Sequence, residues 1–482
     1  MLHRELLIDG VFLGGPCDQG IGKTVQRSPF DGTVVGSAAE AGRPEAAQAI
    51  AAARDAFLTW RRSDGPVRSE LLRKIAATVR ARRDELAELM ALEIGKPVAL
   101  GHGELDRCAL TFELAADLAL EHRPERFDLT FDPRGTGYTG MAERLPIGPI
   151  FCITPYNWPF NLAAHKIAPA LASGNTVILK GSPLAALCSL TFARLIHEAG
   201  CPSGVLNAIQ CEAPTAEWVA RHPDVRMVSF TGSPAVGFHL KSILPEKRVA
   251  LELGGDSFAI ICEDADVEWA AKRCAAGAYG YAGQVCIAVQ HVLAERSVYE
   301  RVRDALSTST GQTPSGDPRE PGVVCGPMIT SDAADRVMEW IDEAESFGAR
   351  VLAGGNRIGN VIEPTLVEVS DNAPDGPRLL TEEVFGPVLT LAAFESFDAA
   401  LARVNASRYG LQTGLFTAHE DRIAQAWETL EVGGLVVGDF PTLRFDNMPY
   451  GGTKRSGIGR EGVRFAIEEM TEWRSLIRRQ AP

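Results

Sequence analysis

From Arg144 onward the apolar residues come in short runs separated by helix-length stretches, and this alternation restricts the fold more than any other feature of the chain. Pro149-Ile150-Phe151-Cys152-Ile153 reads as a strand, followed by a helix over about 162–173. Asn175-Thr176-Val177-Ile178-Leu179 is the next strand, then a helix over about 187–199, then the strand Met227-Val228-Ser229-Phe230. Beyond Cys286 the candidate strands are Arg350-Val351-Leu352, Val388-Leu389-Thr390 and Leu435-Val436-Val437. Strands joined through helices form a parallel α/β sheet. At 482 residues the chain is long enough for two or more domains.

The segment before Arg144 follows other rules. Residues 1–40 read as short strands and turns, with Ile8-Asp9-Gly10 and Ser28-Pro29-Phe30-Asp31-Gly32-Thr33 as the turn chemistry. Amphipathic helices are expected from Arg43 to Arg61, from about Pro66 to Glu93 and from about Gly103 to His122. Gly95-Lys96-Pro97 supplies the stop after the second. Residues 123–144 are polar, aromatic and Gly-containing, and on their own they read as a loop.

Composition removes several functions. Acidic residues outnumber basic ones 62 to 48, giving a net charge of −14, which argues against nucleic acid as a partner. The ten cysteines are scattered, with no close spacing for a metal site or a redox pair, so no metal is expected. They read as reduced thiols of a cytoplasmic protein. No stretch approaches the roughly 20 apolar residues of a membrane span, and Met1-Leu2-His3-Arg4-Glu5-Leu6-Leu7 has no long apolar core of a signal sequence.

Three short stretches carry chemistry. In Gly283-Gln284-Val285-Cys286-Ile287 a cysteine follows a glycine in a setting that permits close approach of a ligand. A thiolate there is a nucleophile for a carbonyl carbon, although a lone cysteine is more often a buried packing residue. In Val249-Ala250-Leu251-Glu252-Leu253-Gly254-Gly255 a single acid interrupts an apolar strand. Burial raises a carboxyl pKa and suits it to general-base work. Pro155-Tyr156-Asn157-Trp158-Pro159 holds an amide on a stiff turn, where its N–H can stabilise an oxyanion.

Taken together, Leu251-Glu252-Leu253-Gly254-Gly255 and Gly283-Gln284-Val285-Cys286, with 34 positions from Glu252 to Cys286, resemble the aldehyde dehydrogenase superfamily nearly end to end. Pro449-Tyr450-Gly451-Gly452-Thr453-Lys454-Arg455-Ser456-Gly457 with Gly459-Arg460-Glu461 resembles its C-terminal signature, with Tyr in place of the commoner Phe. The resemblance implies an α/β fold with a Rossmann-type cofactor domain, an α/β catalytic domain and a β-arm for oligomerisation. The corresponding boundaries are 1–122 with 145–251 for the dinucleotide-binding domain, 252–438 for the catalytic domain, and 123–144 with 439–482 for the arm and C-terminal segment. A homodimer or homotetramer follows from such an arm.

The resemblance also implies oxidation of a small-molecule aldehyde to its acid. Cys286 attacks, Asn157 and the Cys286 N–H hold the oxyanion, NAD or NADP takes the hydride, and Glu252 activates water against the thioester. The cofactor surface is expected at Thr154, Pro155, Trp158, Lys180, Ser182, Phe230, Gly232, Ser233, Gly237, Glu383 and Phe385. Where many members carry a Glu that holds the ribose hydroxyls, this chain has Pro183, which leaves the choice between NAD and NADP open. Two rivals stand beside this reading: a coenzyme A-acylating enzyme, against which Glu252 argues, and a non-catalytic structural relative, against which Cys286, Glu252 and Asn157 together argue. For the substrate, Arg107, Arg444 and Tyr450 fall at the tunnel. The stretches Gly283 to Gln290 and Met448 to Gly452 resemble the branch holding lactaldehyde and phosphonoacetaldehyde dehydrogenases. Two guanidiniums at one tunnel mouth suit a short anionic aldehyde. Pairing of each Arg with Asp106 or Asp446 is an equal alternative.

Overall fold

The computed structural model describes residues 2–18, 20–121, 124–369 and 376–480. His122, Arg123, Ala481 and Pro482, which the sequence reading places at the edges of a helix, the arm and the C-terminal segment, lie outside the described residues.

Five strands, Arg248–Glu252, Met227–Thr231, Pro149–Ile153, Thr176–Lys180 and Leu206–Ile209, run parallel through the middle of an eight-stranded sheet. The hairpin Leu6–Ile8 and Val11–Leu13 extends one edge antiparallel, and Gly457–Ile458 closes the other. Helices cover both faces, so the central strands are continuous apolar runs rather than alternating ones. Ile150, Phe151, Val177, Ile178 and Val228 are completely buried. Each such side chain contributes about 1.5–3 kcal/mol through burial.

A second, seven-stranded sheet has the order Arg350–Ala353, Thr365–Glu368, Val388–Phe394, Val289–Glu295, Ser257–Ile261, Gln412–Phe416, Gly434–Val437. All its pairings are parallel except that of Arg350–Ala353. A third sheet is antiparallel: Tyr138–Pro146 pairs residue for residue with Thr471–Arg479 and takes Glu125–Phe127 on its other side.

Register places chemistry at one edge of the first sheet. Thr231 lies opposite Glu252, Phe230 opposite Ile153, and Ile153 opposite Lys180, all at the carboxyl ends of their strands. Ligands of open α/β sheets bind outside those ends.

Two expectations need correction. The helix expected from Pro66 to Glu93 is two, Gly65–Ala81 and Arg83–Ile94, broken at Arg82. Arg82 leaves the helical conformation while its guanidinium bonds Glu85 and Glu198. The sequence also suggests a last helix from Val463 to Thr471; it ends at Glu469, because the chain turns there into the long arm strand. No helix among the described residues is long and apolar enough to cross a membrane.

Candidate active site

The helix Val267–Tyr279 delivers the chain into a tight loop with three successive residues in the left-handed region: Tyr281 (φ 53°), Ala282 (52°) and Gly283 (65°). Two of these are not glycine, and each costs about 1–3 kcal/mol that the surroundings must offset. At Gly283 no other residue fits, because a Cβ would stand 2.2 Å from the Gly386 carbonyl oxygen.

The fully buried Gln284 side chain supplies much of the compensation. Its Oε1 accepts from the Tyr156 hydroxyl (3.1 Å) and the Ile329 N–H (2.9 Å). Its Nε2 donates to the carbonyls of Tyr281 (3.3 Å) and Pro327 (3.2 Å). Its own main-chain carbonyl accepts from Asn157 Nδ2 at 2.8 Å. The amide nitrogen keeps a second N–H for another acceptor. Loop and amide therefore form one rigid unit, and Cys286 sits on its open side with Sγ 3.2 Å from the Tyr450 hydroxyl. Burial pushes the Cys286 thiol up to about 11, with the Tyr450 hydrogen bond pulling the other way.

Glu252 ends its strand with Oε2 buried and without a hydrogen-bond partner among the described residues. Burial, and then the charge of Glu461, raise its carboxyl well above the ordinary range. Glu461 itself accepts from Lys166 Nζ at 2.8 Å and lies 3.3 Å from Arg444 Nη2. Burial alone would raise Glu461, but Lys166 and then Arg444 overcome it and hold this carboxylate ionised. Lys166 also donates to Ser229. Glu461, Lys166 and Gln284 were missed as site residues. Glu461 lies in the quoted C-terminal signature; Lys166 has no local signal.

The expected cofactor residues gather at the carboxyl edge of the first sheet. Ser233 caps the helix Pro234–Ile243 by accepting from the Val236 N–H, and since Pro234 has no N–H, the Ala235 N–H is the first-turn donor left for an anion. Gly237 lets that helix approach Leu253, whose Cδ2 would stand 2.4 Å from a Cβ there. Phe230 packs against Gly232, and Thr231 Oγ1 is buried without a hydrogen-bond partner among the described residues. The Thr154 N–H donates to the Lys180 carbonyl at 3.1 Å. Pro155 opens the turn that carries Asn157. No side-chain hydrogen bond or ion pair engages the Lys180 ammonium among the described residues. Ser182 Oγ accepts from the Leu184 N–H (3.2 Å) and so shapes the turn after Lys180, where Pro183 is exposed. Glu383 is held by the Gly255 N–H at 3.1 Å, and burial raises its carboxyl to about 7. A helix N-terminus, an unpaired ammonium and a buried acid along one edge fit a dinucleotide.

Trp158 does not belong to this surface. Its ring has the Lys96 ammonium 3.8 Å from its centroid and the Arg107 guanidinium at 5.6 Å. Tyr156 is instead the aromatic that meets Phe385, edge to face at 6.2 Å. The pentapeptide has two aromatic rings, and the turn at Pro155 decides which one faces the cofactor edge.

Both arginines are paired with an acid, as the alternative reading expected, and for Arg444 the partner differs from the acids expected. Arg107 forks onto Asp446 through Nε (3.0 Å) and Nη2 (2.6 Å), and Asp446 also accepts from His165 (2.8 Å). Asp106 pairs with Arg83 instead. Arg444 is not at a tunnel mouth: its side chain is 5% exposed, and its guanidinium lies 3.6 Å from the centre of the Tyr450 ring. Its acid is Glu461, a partner the sequence reading did not consider. Among the described residues no group of three or more His, Cys, Asp or Glu side chains could hold a metal ion.

Known proteins are similar to this chain over most of their length. The family model for the aldehyde dehydrogenase family matches residues 18–476. A 3-sulfolactaldehyde dehydrogenase of Priestia aryabhattai is 38% identical over 432 residues, 89% of each chain. The solved structure of aldehyde dehydrogenase 21 from Physcomitrella patens, in complex with its reaction product succinate, superposes with a TM-score of 0.95 at 31% identity, covering 99% of this chain and 98% of that one. An NADP-dependent glyceraldehyde-3-phosphate dehydrogenase from Bacillus halodurans, complexed with NADP, gives 0.95 at 30% identity over 100% of both chains. An NAD-dependent aldehyde dehydrogenase from Sinorhizobium meliloti gives 0.94 at 33%, covering 100% of this chain and 95% of that one. With a matching model over nearly all of its length and relatives above 30% identity, this chain belongs to the aldehyde dehydrogenase family.

Proposed function

We propose that this NAD(P)-dependent aldehyde dehydrogenase oxidises a short anionic aldehyde to its carboxylic acid, with Cys286 as nucleophile. The observation that carries the chemistry is the rigid loop that joins Gln284, Asn157 and Cys286. The Cys286 thiolate adds to the aldehyde carbon. The second Asn157 N–H and the Cys286 main-chain N–H take the charge that develops on oxygen. Bound NAD or NADP would supply the hydride acceptor, held by Lys180, the helix start at Ser233 and Glu383. Glu252 then takes a proton from the water that attacks the thioester, and the C–S bond breaks to release the acid and the thiolate. Glu461, tied to Lys166, fixes the electrostatic setting in which Glu252 changes charge.

The substrate class rests on relatives and on Arg107. Three of the similar proteins are named for sulfolactaldehyde, glyceraldehyde 3-phosphate and a complex with the product succinate, each with an anionic group beyond the reacting carbon, whereas others are named for lactaldehyde, which is neutral. Arg107 spends Nε and Nη2 on Asp446, which leaves Nη1 for a further anion beside Trp158. With Arg444 covered by Tyr450, Arg107 is the better candidate for that contact. The test compares kcat/KM for sulfolactaldehyde, sulfoacetaldehyde, phosphonoacetaldehyde and succinate semialdehyde with neutral aldehydes of similar length, using NAD and NADP in turn. Wild type favours the anions, and Arg107→Ala loses about tenfold or more of that preference, the size of one charge-assisted contact. Preference for neutral aldehydes, or selectivity unchanged in the variant, refutes the class.

Three further expectations belong to this reading. The division into residues 1–122 with 145–251, 252–438, and 123–144 with 439–482 is supported by the three main sheets, except that Gly457–Ile458 joins the first sheet and the arm strand runs on to Pro146. A cytoplasmic setting is supported by ten free cysteines. A symmetric homodimer, or a tetramer of two such dimers, is supported by the open outer edge of the strand Thr471–Arg479.

A further inference from the structure

We propose that the Tyr450 hydroxyl is a catalytic hydrogen-bond donor to the Cys286 sulfur, and that the Arg444 guanidinium stacked on its ring positions it and strengthens it as a donor. Most of what surrounds Sγ is apolar: Ile287, Leu411, Val285 and Met448 form a cluster with Tyr450 around it. A thiolate there loses the hydrogen bonds of water and needs a fixed replacement. Among the described residues Tyr450 is the side chain within hydrogen-bond distance of Sγ, at 3.2 Å.

The donor is well prepared. Tyr450 is 3% exposed, and burial keeps its phenol protonated far above neutral pH, so a proton is always present to donate. The guanidinium 3.6 Å from the ring centre draws electron density from the ring and makes the O–H a stronger donor. Arg444 is held in turn by Glu461, and Glu461 by Lys166. The chain Lys166–Glu461–Arg444–Tyr450–Cys286 thus links the acid beside Glu252 to the nucleophile. Asn157 serves a different atom, the carbonyl oxygen. A phenylalanine at this position would keep the ring and its packing but offer nothing to the sulfur.

A donor to the charged sulfur lowers the thiol pKa. It also stabilises the thiolate as a leaving group when the acyl group departs. The titratable and charged groups facing Cys286 are Tyr450, Glu383, Arg444 and Glu252. Of these, Tyr450 and Arg444 favour the thiolate, whereas Glu383 and Glu252 oppose it.

This role rests on Cys286 being the nucleophile. The experiment measures the rate of Cys286 alkylation by iodoacetamide against pH, reading the modified site by peptide mass spectrometry, together with the activity that remains. Tyr450→Phe moves the midpoint to higher pH and slows alkylation at neutral pH by about tenfold. Arg444→Gln shifts it in the same direction by less, and adds little on top of Tyr450→Phe. An unchanged midpoint in a folded Tyr450→Phe protein overturns the proposal. If that variant does not fold, 3-fluorotyrosine at position 450, a more acidic phenol of nearly the same size, must move the midpoint to lower pH, and no movement overturns it equally. Alkylation of Cys286 that leaves activity intact is a separate outcome: it removes Cys286 as nucleophile, and Tyr450's role with it.

Discussion

Glu252 is an acid whose charge is opposed by burial and by Glu461 more than Arg444, Lys166 and Arg460 favour it. One carboxylate oxygen is buried without a hydrogen-bond partner among the described residues, and the acid that acts on it most, Glu461, is kept ionised by Lys166 and Arg444. Ionising Glu252 is therefore costly, and the ionised form is a stronger base than an ordinary carboxylate. The sign follows directly. The base is the deprotonated form and its pKa is raised, so hydrolysis of the thioester speeds up as pH climbs through that raised value. Glu252→Gln should remove this pH dependence. Stopped-flow absorbance should then show a burst of reduced cofactor followed by turnover slowed about 100-fold or more. A steady-state rate equal to wild type would take Glu252 out of the mechanism. Glu252 was legible because a lone acid in Val249–Gly255 breaks an apolar run. Lys166 was not, because a lysine in the buried helix Asn161–Ala172 gives no hint of a partner 295 positions away. Arg444 was misread for the same reason: the visible candidate, Asp446, is two residues on, but the acid it meets is Glu461.

At the scale of elements, much of the strain in the catalytic loop is offset by one side chain. Gln284 satisfies two donors and two acceptors drawn from its own loop and two other segments. Gln284→Leu keeps the bulk and removes all four bonds, leaving buried polar groups that cost about 1–3 kcal/mol each. The expected result is a loss of at least about 3 kcal/mol in denaturant unfolding, with a fall in kcat because Asn157 loses a fixed partner carbonyl. A variant as stable as wild type would show that the loop holds itself. Gly-Gln-Val-Cys was readable as a motif, but its left-handed turn was not, since Tyr281 and Ala282 carry no signature of positive φ. The strand Val289–Glu295 was hidden in a similar way. Gln290 and His291 interrupt its apolar pattern, yet Gln290 bonds the main chain of Glu382 and Val384, and His291 bonds Thr390. The strand Leu206–Ile209 is only four residues long and contains Asn207, which serves the turn at Asp9. The break at Arg82 has neither glycine nor proline to announce it.

For the molecule as a whole, parallel sheets and a family match were legible because they are written in long patterns and short unusual motifs. The C-terminal strand was not, because Thr471–Arg479 has no buried face to impose an alternation: every residue after Thr471 is exposed in the single chain. That exposure is itself an argument. Trp473, Leu476 and Ile477 are 51%, 56% and 62% exposed on a strand whose outer edge is unpaired among the described residues. A long apolar edge pairs with another chain unless something blunts it. A second copy of the chain, related by a twofold axis, supplies the closed arrangement. The expected mass in solution by light scattering is that of two or four chains of 51.8 kDa. Leu476→Asp with Ile477→Asp places two charges on the joint and should shift the protein to smaller species. The groups proposed to act on the aldehyde, Cys286, Glu252, Asn157 and Tyr450, come from one chain, so the dissociated variant should still bind cofactor and keep a reactive Cys286. A wild-type monomer at working concentration, or a double variant with unchanged mass, would show that the arm is not the joint.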